Sequence, residues 1–95
     1  MKAYWIATYK DLKNPENIKK YAEKATPAIK KYSGKILARG GKIETIEGDP
    51  SPRTVLIEFL SMEEALQCYH SEEYQEAMKI GKGEFNRHIQ IVEGI

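Results

Sequence analysis

The sequence predicts an α+β fold in the order β-α-β-β-α-β, a four-stranded antiparallel sheet with both helices on one face. Three observations carry that prediction. The segments Ala3 to Tyr9 and Thr54 to Leu60 are apolar on both of the faces that alternate residues of a strand present. Two stretches, one after Asn14 and one after Ser61, repeat apolar residues at helical spacings. At 95 residues the chain makes one domain, 1–95, with a modest core and about two helices to cover the sheet. Two helices cover one sheet face, so the other is expected to meet the same sheet of a second copy, with Trp5, Leu56 and Val92 on it.

The elements follow in order. After the first strand, Asn14-Pro15-Glu16 combines a capping side chain, a proline suited to the first helical position and an acid for the positive end of the dipole. Ile18, Tyr21, Ala22, Ala25, Ile29 and Tyr32 then form one stripe, with a kink expected near Thr26 because Pro27 removes a backbone donor, and a stop at Gly34. Lys35 to Glu47 reads as one long strand bulged at Gly40-Gly41, and Gly48-Asp49-Pro50-Ser51-Pro52 as the loop that leads to its antiparallel neighbour. Ser61-Met62-Glu63-Glu64 fits a capping box. Met62, Ala65, Leu66 and Tyr69 continue that helix, Ser71-Glu72-Glu73-Tyr74 repeats the start signal, and a break is expected at His70-Ser71. Gly81 and Gly83 end it, and Phe85 to Val92 is the last strand. This order is the split β-α-β of ferredoxin-like domains.

Composition narrows the function classes. The formal net charge of +1 gives no global attraction to nucleic acid, and no apolar run approaches the length of a membrane span. Met1-Lys2 leads directly into a strand pattern, without the regions of a secretory signal, and the lone Cys68 has no internal disulfide partner; a cytoplasmic setting is expected. Residues 1–48 hold 11 Lys/Arg and 5 Asp/Glu, and residues 49–95 hold 4 and 9, but most of these charges belong to the two helices and mark solvated faces. One cysteine and two histidines without ligand spacing predict no metal site, and Gly81-Lys82-Gly83 lacks the rest of a phosphate loop.

Particular residues also resemble a family. Tyr4-Trp5-Ile6-Ala7, Ala38-Arg39-Gly40-Gly41, Glu47-Gly48-Asp49, Ile57-Glu58-Phe59, Tyr69-His70-Ser71-Glu72-Glu73-Tyr74-Gln75 and Val92-Glu93-Gly94 are similar to the small bacterial family described as domain of unknown function 1330. That resemblance implies the dimeric α+β barrel, in which two ferredoxin-like protomers pack sheet on sheet. It also implies kinship with cofactor-independent antibiotic-type monooxygenases, haem-degrading monooxygenases and muconolactone isomerase-like enzymes.

Two constellations can carry chemistry. Around the helix break, His70 can take or relay a proton while Tyr69 and Tyr74 offer hydrogen bonds to an oxyanion; the structural alternative is a histidine favoured by the helix dipole beside two core tyrosines. On the strands, Arg39, Glu58 and His88 fall out of step with Ile36, Ala38, Val55, Ile57, Phe59, Ile89 and Ile91, and are expected to face the partner sheet. There Arg39 can bind a carboxylate or enolate and Glu58 can act as a base, or the two can simply pair and fix the register. Trp5 walls a ligand cavity or packs the core, and Cys68 reads as a buried thiol. The leading expectation is a cofactor-independent monooxygenase or isomerase for a small aromatic, enolisable or lactone-like metabolite, with His70, Tyr69 and Arg39 catalytic and Trp5, Tyr74, Glu58 and His88 binding. The alternatives are a non-catalytic dimeric ligand-binding or stress-associated protein and, third, a haem-degrading enzyme with His70 as axial ligand.

Overall fold

A computed structural model describes residues 1–95. The elements are β1 (Ala3–Leu12), α1 (Pro15–Lys31), β2 (Lys35–Arg39), β3 (Arg53–Phe59), α2 (Met62–His70), α3 (Glu72–Gly81) and β4 (Phe85–Glu93). The strands form one antiparallel sheet in the order β2-β3-β1-β4, a ferredoxin-like arrangement with all three helices on one face.

The helix ends follow their local chemistry. Asn14 Oδ1 accepts from the backbone N–H of Glu16 at 3.1 Å and of Asn17 at 3.4 Å, which starts α1. The helix runs on through Pro27, whose missing N–H leaves the Glu23 carbonyl without its helical donor. At the other end Ser33, not glycine, takes the left-handed conformation (φ 64°), and the Gly34 N–H returns to the Ile29 carbonyl at 2.8 Å. Gly34 is required by space: a Cβ there would lie 2.5 Å from Ile29 Cγ2 and 2.9 Å from Phe59 Cε1. Ser61 Oγ caps Glu64 N–H at 3.1 Å. The break at Ser71 is real. Its hydroxyl donates to the Cys68 carbonyl at 2.7 Å and accepts from the Tyr74 N–H at 3.1 Å, so one side chain closes α2 and opens α3.

The second strand differs from its expected form. It stops at Arg39 instead of continuing to Glu47, and its bulge lies between Ile36 and Ala38 rather than at Gly40-Gly41. Arg39 pairs with Val55, only two residues from the start of β3, so residues further on have no strand to pair with. Gly40, at φ 72°, turns the chain away.

This bulge decides which way Arg39 points. Ile36 pairs with Ile57 and Arg39 with Val55, both on the helix-covered face, while Ala38 pairs with Leu56 on the open one. Arg39 therefore faces the helices, not a partner sheet, and Ala38 does the reverse. Trp5 is corrected likewise: it is 1% exposed, in the core row with Ile57 and Ile91. The open face carries Tyr4, Ile6 and Thr8 from β1, Thr54, Leu56 and Glu58 from β3, and His88, Gln90 and Val92 from β4.

Candidate functional site

The site grows from the side-chain sizes on the covered face. Three cross-strand rows follow one another: Ile57-Trp5-Ile91, then Val55-Ala7-Ile89, then Arg53-Tyr9-Arg87. Ala7 is the small residue between two large aromatics, and α1 lays Ala22 and Ala25 above it. What remains is a chamber of about 30 Å³, room for roughly one water, lined also by Ile18, Tyr21, Ile29, Arg39 and Tyr74. Its long wall is aromatic, with Trp5 and Tyr21 each meeting Tyr74 edge-on, at 5.1 and 6.2 Å.

At one end the chamber holds an unusual polar cluster. Arg87 donates from Nη1 to the Tyr9 hydroxyl at 3.2 Å and the Tyr21 hydroxyl at 3.0 Å, and from Nη2 to the Tyr74 hydroxyl at 2.9 Å and Met78 Sδ at 3.0 Å. The Tyr21 and Tyr74 hydroxyls bond to each other. Arg87 also lies over the rings of Tyr9 and Phe85, 5.8 and 4.8 Å from their centroids. No carboxylate pairs with it, and the same is true of Arg39 and Arg53. Arginine only donates, and the Tyr21–Tyr74 bond uses one of two phenolic protons. The other proton, and that of Tyr9, find no protein acceptor, so the cluster is rich in donors and short of acceptors.

Burial keeps the Tyr21 and Tyr74 phenols protonated. It pushes the Tyr74 phenol far above its ordinary range, helped by Tyr21, and raises Tyr21 despite the opposing charge of Arg87. Burial opposes the Arg87 charge too, but the oxygens of Tyr21, Tyr74 and Tyr9 outweigh it and the group stays cationic. A consequence is measurable. The folded protein keeps two phenolic protons that the unfolded chain releases near pH 10, so stability should be unaffected below about pH 10 and fall as pH rises above it. Of the six tyrosines, Tyr21 and Tyr74 should ionise at 295 nm only as the fold is lost; six titrating together in folded protein would contradict this.

The residues expected to act fall into three places. Trp5, Arg39 and Tyr74 meet at the chamber, where Arg39 also donates to Thr26 Oγ1 at 2.9 Å. Tyr69 backs it, with its ring 5.8 Å from Trp5 and 5.5 Å from Tyr74. His70 is exposed against Tyr69, in an open groove with Met62, Leu66, Ile89, Gln90 and Ile91. Glu58 and His88 lie on the open sheet face. There Glu58 accepts from Lys2 Nζ at 3.2 Å and the Tyr4 hydroxyl at 3.3 Å, not from Arg39, and the Lys2 hydrogen bond is the main reason its carboxyl is held below the usual range. Tyr9, Tyr21, Arg53 and Arg87 were not singled out from the sequence as functional. Their signal was present: Arg53 and Arg87 are charged residues in step with the core positions Val55 and Ile89. Cys68 is wholly buried and its thiol is pushed up to about 12 by burial, and no three His, Cys, Asp or Glu side chains cluster as metal ligands. No helix is long and apolar enough to cross a membrane.

The arrangement is that of the ferredoxin-like α+β proteins. A protein of unknown function from Rhodopseudomonas palustris superposes with a TM-score of 0.79 at 13% identity, over 99% of this chain and 82% of its own. SnoaB, a cofactor-independent oxygenase from Streptomyces nogalater, gives 0.68 at 5% identity, over 99% and 93%. A dimeric protein of unknown function and ferredoxin-like fold from Bacteroides fragilis gives 0.57 at 16%, over 98% and 96%. At such identities the likeness establishes the fold. The comparison with curated proteins gives no match. The model of the DUF1330 family, a domain of unknown function, matches residues 2–95, and the chain belongs to that family.

Proposed function

We propose that the protein binds and turns over a small phenolic or enolisable metabolite in the chamber beneath α1, by cofactor-independent oxygenase or isomerase chemistry. One observation carries the reading: the phenols around Arg87 hold two O–H donors without protein acceptors, beside a cation that no carboxylate neutralises, the complement of an oxyanion. Arg87 would offset the charge of the enolate or phenolate oxygen, Tyr9 and whichever of Tyr21 and Tyr74 keeps its proton free would donate to it, and Trp5 would stack on the substrate. For an oxygenase, the substrate anion supplies the electrons. Its carbon forms a bond to dioxygen, and the resulting hydroperoxide loses water, so that CH₂ and O₂ become C=O and H₂O. For an isomerase the same anion is reprotonated at another carbon.

The chamber is small as it stands, so a metabolite enters only if the exposed Arg39 and half-buried Arg53 swing outward. Its lining holds no carboxylate or histidine to act as base, and that favours substrates acidic enough to ionise against Arg87 alone. It also favours, as a second reading, a binding protein without turnover. The proposal gives no role to His70, Glu58 or His88. Oxygen uptake, product analysis and Trp5 fluorescence with phenols, quinols and enolisable lactones separate the readings. Binding with turnover supports the enzyme, binding without turnover supports the second reading, and no binding by any class overturns both.

The proposal includes a homodimer through the open sheet face, where Tyr4, Ile6, Leu56 and Val92 are apolar and Val92 is 50% exposed. Light scattering after size exclusion should give twice the 10.9 kDa chain mass. A folded monomer at micromolar concentration would contradict it.

A further inference from the structure

We infer that the chamber's ligand is a small planar acid that carries a carboxylate in addition to its phenolic or enolic oxygen, and that Arg53 with Arg39 selects for it. The inference rests on the chamber being the site and goes beyond it by naming a second anionic group. Tyr9 is the centre of the row Arg53-Tyr9-Arg87, and both guanidinium groups lie over its ring, at 6.0 and 5.8 Å from the centroid. Their backbones stand two strand spacings apart, about 10 Å, so the ring is flanked by cations on both sides. Like charges in one row of a sheet repel, and neither is neutralised by a carboxylate.

The two cations differ in what occupies them. Arg87 is ringed by phenol oxygens, whereas the Arg53 guanidinium makes no hydrogen bond to the protein at all. Its Nη1 would be 3.3 Å from a Cβ on Gly40, and that residue's lack of a side chain leaves the guanidinium uncovered at the end of β2. Arg39, brought to this face by the bulge at Leu37, stands beside it and spends one donor on Thr26. Arg39 and Arg53 also share a second open groove, with Leu12, Pro15, Ile18, Lys19 and Ala22, outside the chamber. They therefore form its mouth, while Arg87 and the phenols stand at the strand on the far side of Tyr9. A planar acid fits this pattern with its carboxylate at the mouth, where a forked guanidinium binds it well, and its ring oxygen toward Arg87.

The test compares 4-hydroxybenzoate with 4-hydroxybenzamide, which keeps the shape and phenol and removes the charge, by Trp5 fluorescence and calorimetry at neutral pH and low salt. The acid should bind at least about tenfold more tightly, as a charge-assisted bond exceeds a neutral one. Arg53→Gln, and separately Arg39→Gln, should bring the acid down toward the amide and leave the amide unchanged; circular dichroism confirms that each variant is folded. Equal binding of acid and amide, or a preference that survives both variants, overturns the selection by Arg53 and Arg39 and leaves the chamber standing. If neither compound binds, the chamber reading itself falls.

Discussion

Trp5→Ala should destabilise the protein by about 3–5 kcal/mol, the usual cost of emptying a large aromatic site in a core. Trp5 is 1% exposed, stacks on Phe59 at 5.8 Å, and supports Tyr69 and Tyr74 at 5.8 and 5.1 Å. Each aromatic contact adds about 0.5–1.5 kcal/mol beyond the area buried. The neighbours cannot collapse into the gap, because Tyr74 is held by its hydroxyl to Arg87 and Tyr21 while Phe59 is wedged against Gly34. A domain of this size has about 5–15 kcal/mol in total, so the variant should sit near the edge of unfolding. Urea denaturation at 25 °C measures the loss. A loss below about 1.5 kcal/mol would mean that the Trp5 site relaxes and is not the packed centre of the core.

Arg87→Met should separate stability from binding. A half-buried cation without a counter-charge is costly to fold around, which offsets part of the cost of removing it. Here methionine would occupy the stem's volume, beside Met78 and over the Phe85 ring. The change leaves the bond between Tyr21 and Tyr74 intact and takes one donor from each phenol oxygen. The buried Tyr9 hydroxyl loses its one partner, so stability should fall by about 1–3 kcal/mol. Binding of a phenolate or enolate should fall about 100-fold, of the order expected when a charged, desolvated contact is removed. A variant that loses several kcal/mol and still binds would make Arg87 a structural strut.

The fold was legible because each element announces itself in local chemistry: Asn14-Pro15-Glu16 starts a helix, Ser71 breaks one, and the apolar strands fix the sheet. The site was only partly legible, for two physical reasons. A single-residue bulge at Leu37 inverts everything after it, and alternation read straight through from Ile36 sends Arg39 to the wrong face. The second reason is the choice of signal. Charges out of step with the apolar pattern, such as Glu58 and His88, are those that reach the open face, whereas the charges in step, Arg53 and Arg87, are the ones the fold buries against its own helices. Tyr9 and Tyr21 fit the apolar stripes so well that the pattern gives their hydroxyls no signal, although a buried phenol needs a partner and here finds an arginine. The chamber itself depends on Ala7 meeting Ala22 and Ala25, a coincidence of small residues from two elements that no single segment reveals.

The most direct test of the chamber as the functional site is NMR shift mapping of the ¹⁵N-labelled protein titrated with 4-hydroxybenzoate. Binding in the chamber should move the Arg87 side-chain Nε–H, the Trp5 indole N–H and the backbone amides of Ala7 and Ala25 together along one binding curve. Shifts confined to His70, Leu66 and Ile91 beside α2, or to Glu58 and His88 on the open sheet, with Arg87 and Trp5 unmoved, would contradict it.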